Sequence, residues 1–287
     1  MVSVAQPTLD VVIPCYNEAQ DIARCLDLLL DQRKELRRII VVDNNSSDAT
    51  PSILRDYATR EPIIDVLHET RQGVEFARDT GMAHARADVV ARIDVDARVQ
   101  PGWARALREF YAAHPDVQAG TGATEYFDLP ARRFTNMVTW FFMTMSNQVM
   151  AGSVNLYGAN MSIRRQAWDM VKDHLPGRDA HVMEDLSISL ALEKRGQKID
   201  YIPGAMAHVS GRRMRTNPRD FARYNAQWPN TYRAMGFSRK ARAIKPMSWL
   251  GNILQWGLAF LLRFHDPATG KFSIRTFHNG YEGRELP

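Results

Sequence analysis

Apolar positions along this chain keep two rhythms. Near-continuous apolar runs at 9–14, 38–43, 63–67 and 89–96 read as buried strands, because a strand covered on both faces loses the alternation of a half-exposed one. Between them, Ile22, Leu26, Leu29 and Leu30 recur at helical spacing, as do Phe76, Ala77, Thr80 and Ala83 within 73–86. Further helices are predicted over 49–58 and 101–114. Asn17 is placed as the N-cap of the first helix with Glu18 in its first turn, the run 44–48 caps the second, and Pro101 takes an N1 place in the fourth. Four strand–helix units in succession predict an α/β fold with a mostly parallel central sheet, flanking helices and right-handed crossovers.

The rhythm breaks after a strand at 117–124. The run 134–150 is crowded with Met, Phe and Trp, and 155–163 reads as an extended strand. A helix over 184–195 and a last strand at 198–202, ended by Pro203, complete the α/β part. The apolar run 249–262 contains Asn252 and Gln255 and falls short of the ~20 residues a spanning helix needs. The first eight residues lack a signal peptide's basic and apolar regions, so a reducing cytoplasm is expected. Cys15 and Cys25 are the only cysteines and form no disulfide framework.

Charge changes this picture at one place. Residues 212–245 carry ten Lys and Arg against Asp220 alone, a local +9 in a chain of net +5, which leaves the remainder at −4. The asymmetry asks for a polyanionic partner. Followed by the Trp- and Leu-rich run, it fits an interfacial anchor on an anionic membrane surface through 212–264. Packing on the main domain or a dimer contact explains the same run. No nucleic-acid motif accompanies the charge, and no nucleic acid is expected.

Candidate chemistry sits at the strand ends. Asp94 and Asp96 end the fourth run and Asp43 ends the second. Open α/β sheets bind ligands beyond these carboxyl ends, and paired carboxylates suit a hard divalent cation bridging phosphate oxygens. A nucleoside diphosphate also needs a basic residue, which Arg71 or Arg78, flanking Gly73, supplies. Taken singly, each aspartate reads better as a turn or cap residue, and each arginine equally well as solvated surface.

Several strings together go further. Val11-Val12-Ile13-Pro14-Cys15-Tyr16-Asn17-Glu18 and Val41-Val42-Asp43-Asn44-Asn45-Ser46-Ser47-Asp48 resemble the opening of family 2 glycosyltransferases. Arg71-Gln72-Gly73 with Ala77-Arg78-Asp79-Thr80-Gly81 resembles a later family segment, with Asp79 where Asn is usual. Asp94-Val95-Asp96 resembles its Asp-x-Asp motif, and Met183-Glu184-Asp185 the motif carrying its base. The resemblance spans roughly 9–212.

It implies a Rossmann-like GT-A fold and inverting, metal-assisted transfer of a sugar from a nucleotide-sugar donor to an acceptor hydroxyl. Pro14, Tyr16, Glu18 and Asp43 would cradle the nucleoside, with Asp43 facing the base. Arg78 would approach the base or phosphates, and Asp94 the ribose side. Asp96 would hold Mg²⁺ or Mn²⁺, with His208 as a further metal ligand or a phosphate hydrogen bond. Asp185 would be the base and Glu184 would orient the acceptor, with Gly158 and Asn160 on the acceptor side. The catalytic domain would cover 1–211, its nucleotide-sugar half about 1–124 and its acceptor half about 125–211, before a helical extension over 212–287. Arg212, Arg213 and Arg215 would close over the diphosphate if the extension folds back. A sugar or lipid-linked acceptor in cell-envelope synthesis fits the basic tail, at the inner face of the membrane. A nucleotidyltransferase of related fold, a retaining enzyme and a sugar-nucleotide-binding scaffold remain alternatives.

Overall fold

A computed structural model describes residues 6–133, 135–137, 140, 154–177, 181–266, 271–274 and 277. Strands β1 (Leu9–Cys15), β2 (Arg38–Asp43), β3 (Ile64–His68) and β4 (Val89–Ile93) are parallel, in the order β3-β2-β1-β4. Alternate side chains enter opposite cores. Val11, Ile13, Ile39 and Val41 pack with α1 (Ile22–Leu30), α2 (Thr50–Arg60) and α4 (Trp103–Ala113). Val12, Ile40 and Val42 pack with α3 (Val74–His84) on the other face. This two-sided burial is why the strands carry no polar alternation.

The sheet becomes mixed beyond β4. Eight strands run β3-β2-β1-β4-β7-β6-β8-β5. β5 (Arg98–Val99) lies antiparallel to β8 (Lys198–Val209); β7 (Asn160–Arg164) lies antiparallel to both β4 and β6 (Val117–Tyr126); β6 and β8 run parallel. Helices α5 (Arg165–Val171) and α6 (Glu184–Glu193) join the α3 face. Chain order reverses between β1 and β4, so their carboxyl ends border the crevice where such sheets bind ligands.

Four local expectations are corrected. Asn17 does not cap α1, which starts at Ile22 after Asp21. Its backbone is left-handed (φ 50) and its side-chain oxygen instead accepts from Ser47 N at 2.8 Å, tying the β1 loop to the β2 loop. Pro101 precedes rather than opens α4, because Gly102 (φ 84) turns the chain first. Of the expected 155–163 strand only 160–163 is paired, in a strand that runs on to Arg164; Leu156 N and Tyr157 N donate instead to Ser189 and Thr121 hydroxyls. Pro203 does not end its strand. The β6–β8 register jumps from Gly122↔Ile202 to Thr124↔Ala207, so the proline lies in a bulge where its missing N–H breaks no ladder bond. Most of the run 134–150 lies outside the described residues.

The C-terminal part forms α7 (Pro218–Asn225), α8 (Gln227–Ala234) and α9 (Ser238–Leu262). Tyr232, Ala241 and Ile244 enter the same core as α3 and α6. Met183 N donates to the Thr231 hydroxyl at 2.8 Å, so α8 holds the chain just before α6. Among the described residues no helix is long and apolar enough to cross a membrane.

Candidate active site

Three loops at the carboxyl ends of β1, β2 and β3 are fastened to one another. Glu18 N donates to Thr50 Oγ1 and Ala19 N to Asp48 Oδ2. Asp43, at the end of β2, is buried; its Oδ1 accepts from Ser46 N at 3.2 Å and its Oδ2 lies 3.6 Å from His68 Nδ1. The next residue, Asn44, fixes the loop after β3: its amide donates to Glu69 O and Arg71 O and accepts from Gly73 N at 2.8 Å. Glu69 in turn accepts from the Arg71 guanidinium and the Thr80 hydroxyl. The Arg71 bonds first, then Thr80, hold its carboxyl well below the usual range. This frame positions α3, which carries Arg78. Pro14 is buried in β1, opposite Val42, and Tyr16 is half-buried at its end.

Arg78 joins the two sides of the crevice. Its Nη1 donates to Glu184 Oε2 at 3.0 Å, and its Nη2 lies 3.9 Å from Asp94 Oδ1. Burial alone would lower its pKa, but Glu184, Asp94 and Asp185 outweigh burial and raise it. Glu184 and Asp185 occupy the first turn of α6, where the helix dipole favours carboxylates. Asp185 Oδ2 accepts from Gly158 N at 2.8 Å and its Oδ1 from Leu186 N at 2.8 Å. Both bonds fix the carboxylate's plane. The sequence strings therefore bring Arg78, Asp94, Glu184, Asp185 and Gly158 to one place.

Asp96 is buried, and Arg212 lies on it. The guanidinium donates to Asp96 Oδ2 at 2.9 Å and, bidentately, to Glu18 at 2.8 and 3.1 Å. Burial would lower the Arg212 pKa, but Asp96 and Glu18 raise it. His208, on β8, lies 3.3 Å from the Gln100 amide through Nδ1 and 3.8 Å from Glu125 Oε2 through Nε2. Among the described residues no group of three or more His, Cys, Asp and Glu side chains is gathered as a metal shell. Asp96 nevertheless fits one role in such a site: it is a desolvated hard-oxygen donor that already attracts a cation, so a divalent ion here would take the rest of its shell from a ligand. Asn160 is buried, and its amide is engaged with Trp103 Nε1, Ala123 O and Ala205 O, fastening β7 to α4, β6 and β8.

The sequence motifs assign no role to Glu69 or Arg92, and they include Asn44 only within a string and a capping run. Arg92 is 1% exposed inside β4, and its Nη1 lies 3.0 Å from Glu184 Oε1. The only signal for it was a charge within an apolar run. Residues 212–225 also enter the site: Arg213 stacks over the Tyr224 ring at 3.9 Å, and burial raises the Tyr224 phenol, which lies within the field of Asp185 and Asp94.

Comparison with known proteins gives this arrangement a context. The sequence model of glycosyl transferase family 2 matches residues 10–170. "Glycosyltransferase AglE" of Haloferax volcanii is 30% identical over 53% of this chain and 52% of its own length. A glucosyl-dolichyl phosphate glucuronosyltransferase of the same organism is 26% identical over 67% of this chain and 66% of its own. The chain spans about half the length, or less, of several such relatives. In structure, the Pyrobaculum calidifontis mannosyltransferase PcManGT, solved with GDP-Man and Mn²⁺, aligns over 95% of this chain and 78% of its own, with a TM-score of 0.64 and 21% identity. Glucosyl-3-phosphoglycerate synthase of Mycobacterium tuberculosis aligns over 80% and 79%, with a TM-score of 0.58 and 17% identity. Both likenesses concern the fold: an α/β sheet flanked by helices as in GT-A glycosyltransferases.

Proposed function

The chain belongs to glycosyl transferase family 2, and from that premise we propose that it transfers a hexosyl group from a nucleoside-diphosphate sugar to an acceptor hydroxyl with inversion at the anomeric carbon. The observation that carries this reading is the span of Arg78, which reaches Asp94 on the donor side of the crevice and Glu184 beside the proposed base.

The residues divide the work by position. Pro14, Tyr16, Glu18 and Asp43 line the end of the crevice suited to a nucleoside, and Asp94 the ribose and sugar side. Asp185 accepts the acceptor hydroxyl's proton as that oxygen bonds to the anomeric carbon. The bond from that carbon to the diphosphate breaks on the opposite face, and its electron pair leaves with the nucleoside diphosphate. A base within hydrogen-bond reach is the minimum such attack requires. Arg78 and Arg212 are placed to meet the charge gathering on the diphosphate. A divalent Mg²⁺ or Mn²⁺ ion, held by Asp96 with His208 as a further ligand, would supply Lewis-acid neutralisation of that charge when bound. Mn²⁺ in the two structural neighbours supports this cofactor.

The acceptor proposed is a sugar or lipid-linked glycan presented at a membrane surface, in cell-envelope or lipid-linked glycan synthesis. The dolichyl-phosphate-linked substrate named for one relative supports it. So does the outward face of α9, which exposes Trp249, Leu254, Trp256 and Phe260 next to exposed Arg239, Arg242 and Lys245.

A thermal-shift series with UDP-, GDP- and dTDP-sugars, each with and without Mn²⁺, tests the donor reading. Mn²⁺ alone is expected to shift Tm little, because Arg212 already neutralises Asp96 and Glu18. One donor together with Mn²⁺ is expected to shift it by several degrees, as binding adds RT ln(1 + [L]/Kd) to stability. No shift with any donor contradicts the proposal.

A further inference from the structure

The strand that presents Asp94 carries a buried cation with no place in the roles above. Val89, Ala91 and Ile93 turn to the α1 and α4 core while Val90 enters the α3 core. By strand alternation Arg92 therefore points to the α3 and α6 face, level with Val12 on β1 and Met161 on β7. A hydrophobic residue there would avoid the desolvation of a guanidinium. Burial pushes the Arg92 pKa down, and the nearby Arg78 pushes it further in the same direction. The fold tolerates this cation beside a second one, and Glu184 lies between them.

The geometry is specific. Glu184 Oε2 accepts from Arg78 Nη1 at 3.0 Å, while Glu184 Oε1 lies 3.0 Å from Arg92 Nη1. Arg92 Nε reaches Gly158 O at 3.5 Å. A Cβ placed on Gly158 would lie 2.8 Å from Arg92 Nη2 and 3.0 Å from Asp185 Oδ2. The missing side chain of Gly158 is thus the gap across which the arginine and the proposed base face each other. Neither Nη atom of Arg92 has an aligned hydrogen-bond partner among the described residues, and the side chain is almost wholly buried. A buried donor in that state marks a built feature rather than incidental packing.

We propose that Arg92 is the positioning residue of the acid pair on α6. It pins Glu184 from the sheet side as Arg78 pins it from α3, and it fixes the first turn of α6 against Gly158 so that Asp185 is aimed at the acceptor. Glu184 then acts as a strut between two arginines, and its alignment of the acceptor is exerted through Asp185. The inference rests on the assignment of Asp185 as base.

Steady-state kinetics on Arg92→Met, Arg92→Gln, Arg92→Lys and Asp185→Asn, with Tm measured for each, test it. Arg92→Met and Arg92→Gln are expected to fold, since Glu184 keeps Arg78 and no buried charge is left alone. Their kcat should fall between about 10- and 100-fold, the scale of an ångström-sized misplacement, with donor KM changed less than about threefold. Arg92→Lys should recover part of kcat, because it restores a charge facing Glu184. Combining Arg92→Met with Glu184→Gln should cost little more than the worse single change, since both remove one strut. Two results overturn the inference: Arg92→Met with kcat within about twofold of the parent, or kcat and Tm falling together with no recovery in Arg92→Lys. Should Arg92→Met fail to fold, the Lys and Gln variants decide it, and equal kcat in those two overturns it. If Asp185→Asn is inactive while Arg92→Met is unaffected, only the positioning role fails. If Asp185→Asn keeps its activity, the base assignment fails as well.

Discussion

Glu69 illustrates what single residues contribute around this crevice. It stands just after β3, and its carboxylate accepts from Arg71 N, the Arg71 guanidinium and the Thr80 hydroxyl. Those bonds favour the ionised form, so its folded pKa lies well below the unfolded carboxylate value of about 4.3. A group depressed on folding contributes stability above its unfolded pKa, and that contribution disappears as pH falls through the folded value. Glu69→Gln is therefore expected to cost about 1–2 kcal/mol at pH 7, with the exposed Arg71 partner limiting the figure. The gap between parent and variant should close as pH falls below about 4. Urea unfolding at pH 7 and pH 3 checks both statements, and a gap unchanged between them contradicts the sign. Asp43, Asp94, Asp96 and Asp185 were legible in the sequence because each sits in a fixed string at an element's end. Glu69 and Arg92 were not: their meaning depends on partners reached only after α3 and α6 have packed.

At the scale of elements, strands were read best, because burial on both faces leaves an unambiguous apolar run. Starts and stops were read worst. Asn17 has the side chain of a cap, but a competing partner, the Ser47 backbone, takes it. Pro203 reads as a terminator, but a bulge absorbs it. Helix α9 combines the two arrangements its apolar run allows. Its amide side chains turn inward: Gln255 donates to Met214 O and Thr216 O, and Asn252 accepts from Asn225. Trp249, Leu250, Leu254, Trp256 and Leu261 turn outward while Ala241, Ile244, Ala259 and Leu262 are buried, so the helix is fastened to the protein and still exposes an apolar, aromatic face, the one proposed to meet a membrane. Replacing Trp249 and Trp256 together by Ser should leave Tm nearly unchanged, because both side chains are about two-thirds exposed. It should release the protein from vesicles containing anionic lipid in a sedimentation assay. Equal sedimentation of parent and double variant contradicts the proposed membrane role of α9.

Across the whole molecule, the boundary drawn at 212 divides sequence composition but not the site. Arg212 lies on Asp96 and Glu18, Tyr224 lies within the field of Asp185 and Asp94, and Thr231 holds the residue preceding Glu184. The basic segment thus contributes to the crevice as well as to the surface; the sequence raises that fold-back for Arg212, but its partners Asp96 and Glu18 lie too far along the chain for a local pattern to name. The strand ends that carry Asp94 and Asp96, the first turn of α6 and the C-terminal segment meet around two arginines, Arg78 and Arg212. Our proposal gives the bond-making step in that setting to Asp185. It is tested most directly by comparing Asp185→Asn with the parent for sugar transfer, with donor-induced Tm shift measured in the same samples. An undiminished donor shift and a loss of transfer of about 10²–10⁴-fold are expected. Transfer within about threefold of the parent, with the donor still bound, would contradict it.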